Sequence, residues 1–160
     1  MDKRIAAINL DRIQRLALGL EQAVDHLQRL FPLQEACFDS TSVSAADLLA
    51  IDGFRARFSD MQDMLGRTMF KTVAQLDEDE TPGGSMTTRE RIVLMEKRGL
   101  IDGRQWQDIR EVRNNFAHDY PDEPAEKAAN LNAAWRYAPV LLTITQLIVD
   151  YLHDKHRIRR

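Results

Sequence analysis

Residues 5–30, IAAINLDRIQRLALGLEQAVDHLQRL, contain no proline, one glycine and apolar side chains that recur every three or four positions. An α-helix turns about 100° per residue, so this spacing places the apolar side chains on one face of a helix. We predict that this face is buried and that the Phe31-Pro32 pair ends the helix. The predicted buried stripe consists of Ile5, Ile8, Ile13, Leu16, Leu20, Val24, Leu27 and Leu30.

The next two predicted helices have recognisable start signals. Ser44 is a suitable N-cap for a second helix, whose apolar positions continue at helical spacing as far as Val73. Thr87 and Glu90 form a capping-box pattern, which opens a short third helix. Gly99 is expected to end that helix, because glycine readily adopts the left-handed conformation found after a helix C-terminus.

Two longer helices complete the prediction. Asp102 is placed to cap a fourth helix, which extends towards Pro121. A fifth helix begins near Pro124 and continues to about His153, with a kink expected at Pro139. No segment alternates between polar and apolar residues as a half-buried strand would, and no internal repeat occurs. We therefore predict an all-α, single-domain bundle of about five helices.

Composition favours a soluble, cytoplasmic protein. A chain of 160 residues is long enough for one domain with its own hydrophobic core, so we expect residues 1–160 to fold as one unit. Cys37 is the only cysteine, which excludes an internal disulfide and fits a reducing compartment. The opening MDKRIAAINLDRIQ carries mixed charge, unlike a secretory leader. The uncharged run at residues 137–149 is shorter than the about 20 residues that cross a bilayer, so no membrane association is expected.

The charge distribution limits the possible partners. A net charge of −3 argues against a protein that neutralises many phosphates at once, so any nucleic-acid contact should be local and transient. The acidic DEDE at residues 77–80, which a Pro-Gly-Gly follows, is expected to be a solvated loop, and the basic HDKHRIRR at 153–160 a helix end with a frayed tail. The alternatives are that the acidic loop repels phosphate or meets a basic partner, and that the tail contacts phosphate.

The strongest candidate for a functional site is REVRNNFAHDYP, residues 110–121, at the end of the fourth predicted helix. Arg113, Asn114, His118 and Tyr120 together offer hydrogen-bond donors, acceptors and one group that ordinarily titrates near neutral pH. No metal-ligand pattern or phosphate-binding glycine loop accompanies them.

Helix geometry separates some of these side chains. Arg113 and Tyr120 are seven residues apart and share a face, whereas His118 lies about 140° from Arg113. Pro121 disfavours α geometry at the preceding residue and loosens the last turn, so we expect the polar groups to converge on one pocket. The alternative is that Arg113 only pairs with a carboxylate and His118 only complements the helix C-terminus.

The segment RNNFAHDY resembles the pattern R-N-x-x-x-H-x-Y of HepT-like toxins within the HEPN superfamily, which are α-helical proteins often encoded beside a minimal nucleotidyltransferase. The preceding MEKRGLIDGRQWQDIREV is also similar to the family's usual approach to the motif, and the resemblance is clear over about residues 85–125. It implies a metal-independent endoribonuclease that needs no cofactor and forms a homodimer, with two motifs facing a shared cleft.

The resemblance also implies roles for the motif residues. RNA supplies its own nucleophile, the 2′-OH, so His118 would transfer protons and Arg113 would stabilise the charge on the phosphate. Asn114 would orient one of these groups or the substrate. Tyr120 would be adenylylated by the nucleotidyltransferase, which acts as the antitoxin of this toxin–antitoxin pair.

Two further interpretations are compatible with the sequence. One is a non-catalytic HEPN subunit that binds a nucleotide or a partner protein beside a nucleotidyltransferase. The other is an unrelated helical interaction domain, which a monomer with Arg113 buried in a salt bridge would favour. Because both Arg113 and His118 are present, the sequence favours the ribonuclease.

Overall fold

Helices make up the regular secondary structure of the computed structural model, which describes residues 1–39, 41, 43–118 and 123–159. A π-helical turn, Leu65–Met69, joins α2 to α3 without a break, so the described chain contains five helical rods, and no strand occurs in it. A short 3₁₀ turn, Glu35–Cys37, lies between the first two rods. This confirms the predicted all-α bundle. The helices are α1 (Lys3–Leu27), α2 (Ala45–Met64), α3 (Phe70–Leu76), α4 (Thr88–Lys97), α5 (Gly103–Phe116) and α6 (Pro124–His156).

Side-chain caps begin three helices where the sequence predicted them. Ser44 Oγ accepts a hydrogen bond from the Asp47 N–H at 3.1 Å. Thr87 and Glu90 form a capping box in which each side chain accepts a hydrogen bond from the other residue's backbone N–H. Asp102 caps α5 by accepting a hydrogen bond from the Gln105 N–H at 2.9 Å. Each such cap stabilises its helix by about 1 kcal/mol.

The α4–α5 connection is tight because Gly99 ends α4 in a left-handed conformation, with φ of 70°. The Leu100 N–H then donates to the Met95 carbonyl at 3.0 Å, which completes a Schellman motif. Only a few residues therefore separate α4 from α5, as predicted. The last helix, α6, begins at Pro124 and extends three residues beyond the predicted end, to His156, with Pro139 inside it.

The helix that carries the motif is anchored by Trp106. This side chain is buried, its ring centroid lies 4.8 Å from that of Phe70, and it packs over Gly66 in the π-helical turn. A Cβ at Gly66 would lie only 3.2 Å from a Trp106 ring carbon. An alanine here would therefore require the indole to shift by a few tenths of an ångström.

The predicted stripe of α1 is wrong at its N-terminal end, where Ile5 and Ile8 are 51% and 57% exposed. Apolar residues occur on several sides of this end of α1, so apolar spacing alone does not identify the buried side. Asn9 turns inward instead and donates from Nδ2 to Thr72 Oγ1 at 3.2 Å. The buried apolar residues of α1 are Ala6, Leu10, Ile13, Leu20, Ala23 and Leu27.

The expectation of a solvated acidic loop is wrong for Asp77, whose side chain is fully buried. Its carboxylate accepts hydrogen bonds from Arg98 Nε at 3.0 Å and from the Tyr151 hydroxyl at 2.5 Å. Lys155 Nζ and His156 Nε2 lie 2.9 Å and 2.6 Å from its other oxygen. Burial raises the pKa of Asp77, but the hydrogen bonds from Tyr151, Lys155, His156 and Arg98 outweigh it and lower the pKa to about 2.

Glu80 in the same loop is also buried and pairs with Arg91. The expected frayed tail is wrong as well, because Arg157 adopts a left-handed conformation and turns the chain back, so that Ile158 is buried. The acidic loop and the basic end of α6 therefore bind each other inside the fold. None of the described helices has the length and apolar character needed to cross a bilayer.

Candidate functional site

The motif begins at Arg113, directly after the last buried residue of α5, Val112. Trp106, Ile109 and Val112 recur every three residues and are buried. Phe116 continues this stripe but is only half-buried, with its ring 5.9 Å from that of Phe58. The polar residues between and after these positions therefore project to the surface at the C-terminal end of the helix.

Arg113 forms a bidentate salt bridge with Asp63 on α2. Its Nε and Nη2 donate to the two carboxylate oxygens at 2.8 Å and 2.9 Å. The hydrogen bonds from the guanidinium to Asp63 raise the pKa of Arg113, so it is charged at any physiological pH. Both side chains are about one-quarter exposed, and Nη1 makes no hydrogen bond to the residues that the structure describes.

His118 lies just beyond the helix end and is exposed. The Ala117 and His118 N–H groups donate to the carbonyls of Asn114 and Asn115, both at 3.1 Å, which closes a final turn. This turn places His118 at the edge of a pocket of about 170 Å³ between α2, α5 and α6. The pocket is lined by Arg55, Asn115, Phe116, His118, Glu126, Lys127 and Asn130.

The expected convergence of Arg113, Asn114 and His118 on one pocket is not found within the described residues of a single chain. Arg113 is held by Asp63, and neither Arg113 nor the exposed Asn114 lines the pocket beside His118. Regular α-helix extends to Phe116, so the 140° separation is kept over most of the interval between Arg113 and His118. Tyr120 and Pro121 lie outside the described residues.

Arg55 and Lys127 are two cations that the motif does not contain. Arg55 on α2 donates from Nη2 to the Phe116 carbonyl at 3.0 Å, and its guanidinium carbon lies 5.2 Å from the centre of the Phe116 ring. Lys127 lies in the first turn of α6. No local signal in the sequence marks Arg55 or Lys127, because a charged residue on a predicted helix is usually solvated.

Asparagine side chains fix the start of α6 against the end of α5. Asn130 Nδ2 donates to the Val112 carbonyl at 3.1 Å, and Asn115 Nδ2 donates to Asn130 Oδ1 at 3.3 Å. These bonds tie together the two helices that flank His118. Arg55, Asn115 and Asn130 in the pocket wall are therefore held in place by hydrogen bonds between helices.

No three His, Cys, Asp or Glu side chains converge as possible metal ligands in the part of the chain that the structure describes. A scan against protein-family models, a search of curated proteins and a search of solved structures found no match to this chain.

Proposed function

We propose that this chain is a HepT-like endoribonuclease toxin of the HEPN superfamily, which cuts RNA without a metal ion. The observation that carries the proposal is the motif itself, in which Arg113, oriented by Asp63 and still partly exposed, lies five residues before the exposed His118. Two hydrogen bonds fix the plane of the guanidinium and leave its Nη1 group facing away from Asp63. A cation that is oriented in advance stabilises a charged transition state more effectively than one that must reorganise.

The reaction uses groups that are present in RNA and in the motif. His118 accepts the proton of a ribose 2′-OH, and the 2′ oxygen attacks the adjacent phosphorus. The new bond between the 2′ oxygen and phosphorus forms as the bond to the 5′ oxygen breaks. The 5′ oxygen takes up a proton, which leaves a 2′,3′-cyclic phosphate on one product and a 5′-OH on the other.

A homodimer explains how residues on different sides of α5 could act together. Arg113 and His118 project about 140° apart, so one chain does not place both beside one phosphate. A two-fold axis near the end of α5 would bring Arg113 towards His118 of the partner subunit and supply a second histidine as acid. Sedimentation should show a dimer at micromolar concentration, whereas a monomer with full activity would overturn this arrangement.

The partner nucleotidyltransferase would act as the antitoxin by adenylylating Tyr120. The motif alone supports this role, because Tyr120 lies outside the described residues. A transferred AMP places a phosphodiester anion and an adenosine next to the catalytic groups. We infer that it blocks RNA binding rather than the proton transfer itself.

A second candidate function is a non-catalytic HEPN subunit that binds a nucleotide or a partner protein. The Arg113–Asp63 salt bridge favours it, because the pair gives Arg113 a structural role that needs no substrate. An unrelated interaction domain would be expected to bury this ion pair. Arg113 is instead partly exposed, which argues against that third interpretation.

The test is cleavage of single-stranded RNA by the purified full chain, with and without EDTA. We expect products that end in a 2′,3′-cyclic phosphate in both conditions. His118→Ala should abolish cleavage, while His153→Ala, which changes an exposed histidine near the C-terminal end of α6, should leave it unchanged. A folded wild-type dimer that binds RNA or a nucleotide but releases no cleaved product would support the non-catalytic subunit instead.

A further inference from the structure

The pocket beside His118 contains more positive charge than the motif accounts for. Arg55 and Lys127 are both half-buried in its wall, whereas Glu126, the only carboxylate among the lining residues that the structure describes, is exposed. An open groove of about 500 Å³ shares Arg55, Phe116 and Lys127 with this pocket and continues across α2. A ligand bound beside His118 could therefore extend along the surface.

We propose that Arg55 and Lys127 form a phosphate-binding subsite for single-stranded RNA, on the same chain as the His118 that they flank. This inference rests on the proposed function, since it assigns the substrate of that reaction to a place on the surface. The subsite holds a phosphodiester of the bound strand beside His118, while Arg113 lies outside the pocket. Arg55 and Lys127 are binding residues here and take no part in proton transfer.

The hydrogen bonding of the two cations fits an anionic ligand. Lys127 makes no side-chain hydrogen bond or ion pair with any described residue, although it is half-buried. Arg55 uses one of its five N–H groups on the Phe116 carbonyl, and the other four make no hydrogen bond to any described residue. A guanidinium fork and an ammonium point charge are the two groups with which proteins usually bind phosphate.

The size of the space also favours one phosphate of a chain over a whole small molecule. The pocket of about 170 Å³ is smaller than the roughly 300–1,000 Å³ of typical small-molecule sites. The adjoining groove offers a path for the rest of a strand. Asn130, one turn after Lys127 on α6, is fixed to α5 by its hydrogen bond to Val112, so the position of Lys127 is set by the fold.

The subsite can be tested without RNA cleavage. The probe is a fluorescent single-stranded oligoribonucleotide with 2′-O-methyl groups, which removes the attacking hydroxyl, and binding to the full chain is followed by anisotropy at several salt concentrations. We expect Lys127→Gln to weaken binding about tenfold, as the loss of one hydrogen bond to a charged group would. The slope of log affinity against log salt should fall by about 0.7, the value for one phosphate contact on a single strand.

Arg104→Gln is the matched control, because it also removes one positive charge but lies outside the pocket. Arg104 is exposed near the start of α5, 11 residues before the pocket residue Asn115 and so about 16 Å from it along the helix axis. The variant should leave both affinity and salt slope unchanged. Arg55→Lys, which keeps the charge but changes the fork, should weaken binding less than Arg55→Gln. Thermal melting of each variant shows whether the loss of the Phe116 contact has unfolded the protein.

The outcomes separate this inference from the proposed function. Equal affinity and salt slope for the wild type and Lys127→Gln would overturn the subsite, even if the wild type cuts RNA. Failure of the wild type to bind the probe at micromolar concentration would overturn it too. Binding that depends on Lys127 in a chain that cuts no RNA would support the subsite and contradict the endoribonuclease. If the chain does cut RNA, Lys127→Gln should raise KM about tenfold and leave kcat nearly unchanged.

Discussion

Arg113 on α5 donates two parallel hydrogen bonds to Asp63 on α2, at 2.8 Å and 2.9 Å, across 50 residues of sequence. The orientation of the proposed catalytic cation therefore depends on a second helix. An arginine held only by its own flexible side chain would lose entropy each time it engaged a phosphate. Asp63 removes much of that loss before the substrate arrives.

Asp63→Asn should lower kcat for RNA cleavage by about ten- to a hundredfold, because it removes the charge that orients Arg113. The free energy of unfolding should change by no more than about 1 kcal/mol, since the pair is partly exposed to water. Asp60→Asn is the control for charge alone: this exposed carboxylate lies one turn earlier and raises the pKa of Arg113 through its charge, but makes no hydrogen bond to it. Single-turnover kinetics and urea denaturation measure the two effects. Equal kcat values for the two variants would show that the hydrogen bonds from Arg113 to Asp63 do not contribute to catalysis.

Expression of the chain alone should slow bacterial growth, and either His118→Ala or Arg113→Ala should relieve that effect. Both side chains are at least partly exposed, so the variants should stay folded, with stability changes of about 1 kcal/mol or less. Growth curves, combined with circular dichroism of the purified variants, provide the check. Variants that remain both folded and toxic would show that these two residues do not carry the toxicity.

Tyr120→Phe should retain most of the cleavage activity and escape the nucleotidyltransferase, because the ring is kept and the acceptor hydroxyl is lost. Intact-mass spectrometry after incubation with the partner enzyme and ATP is the direct measurement. Mass should increase in multiples of AMP on the wild type and stay constant on the variant. A wild type that is silenced by complex formation while its mass is unchanged would contradict the modification.

Gly66→Ala and Gly53→Ala should change stability in opposite directions, although both glycines lie in the α2–α3 rod. A Cβ at Gly66 would meet the fully packed Trp106 ring at 3.2 Å, so we expect a loss of about 1–3 kcal/mol. A Cβ at Gly53 would meet no atom within 4 Å, so alanine should stabilise the helix by about 0.5–1 kcal/mol. Chemical denaturation of the two variants tests this pair, and a stable Gly66→Ala would mean that Trp106 can shift.

Asp77→Asn should destabilise the protein at neutral pH by about 2 kcal/mol, because the carboxylate has a pKa of about 2 when folded and an ordinary value of 3.8. A lowered pKa stabilises the fold above the ordinary value, and this contribution is lost as the pH falls towards 2. The advantage of the wild type over Asp77→Asn should therefore shrink between pH 4 and pH 2. Glu78→Gln, in the same turn but exposed, should show no such dependence. Urea denaturation over this pH range distinguishes them.

Helix starts were predictable from the sequence because their signals act over short distances. Ser44, Thr87 and Asp102 each cap a backbone N–H only three residues away. The burial of Asp77 in the acidic loop was not predictable. Its hydrogen-bond partners Tyr151 and His156 lie 74 and 79 residues away in the sequence. Pairing at that range depends on how the rods pack, which local patterns do not encode.

The same distinction applies to the candidate site. Arg113 and His118 could be selected from a contiguous motif and from the chemistry of their side chains. Asp63, Arg55 and Lys127 belong to other helices, and they take part in the site only through the way α2 and α6 pack against α5. A charged residue on a predicted helix is usually solvated, so the sequence around Asp63, Arg55 and Lys127 gave no indication that they belong to the site.

The π-helical turn at Leu65–Met69 acts as a rotational offset in the middle of a long helical rod. A π turn holds one residue more than an α turn, so every side chain of α3 is rotated by about 100° from where an unbroken α-helix would place it. Deleting one residue here, such as Thr68, would remove that extra residue, restore regular helix and leave Asp77 facing the end of α6. The chain should therefore tolerate a single-residue deletion in this turn better than a deletion in the regular part of α2, which would rotate every position that follows it in the rod by about 100°.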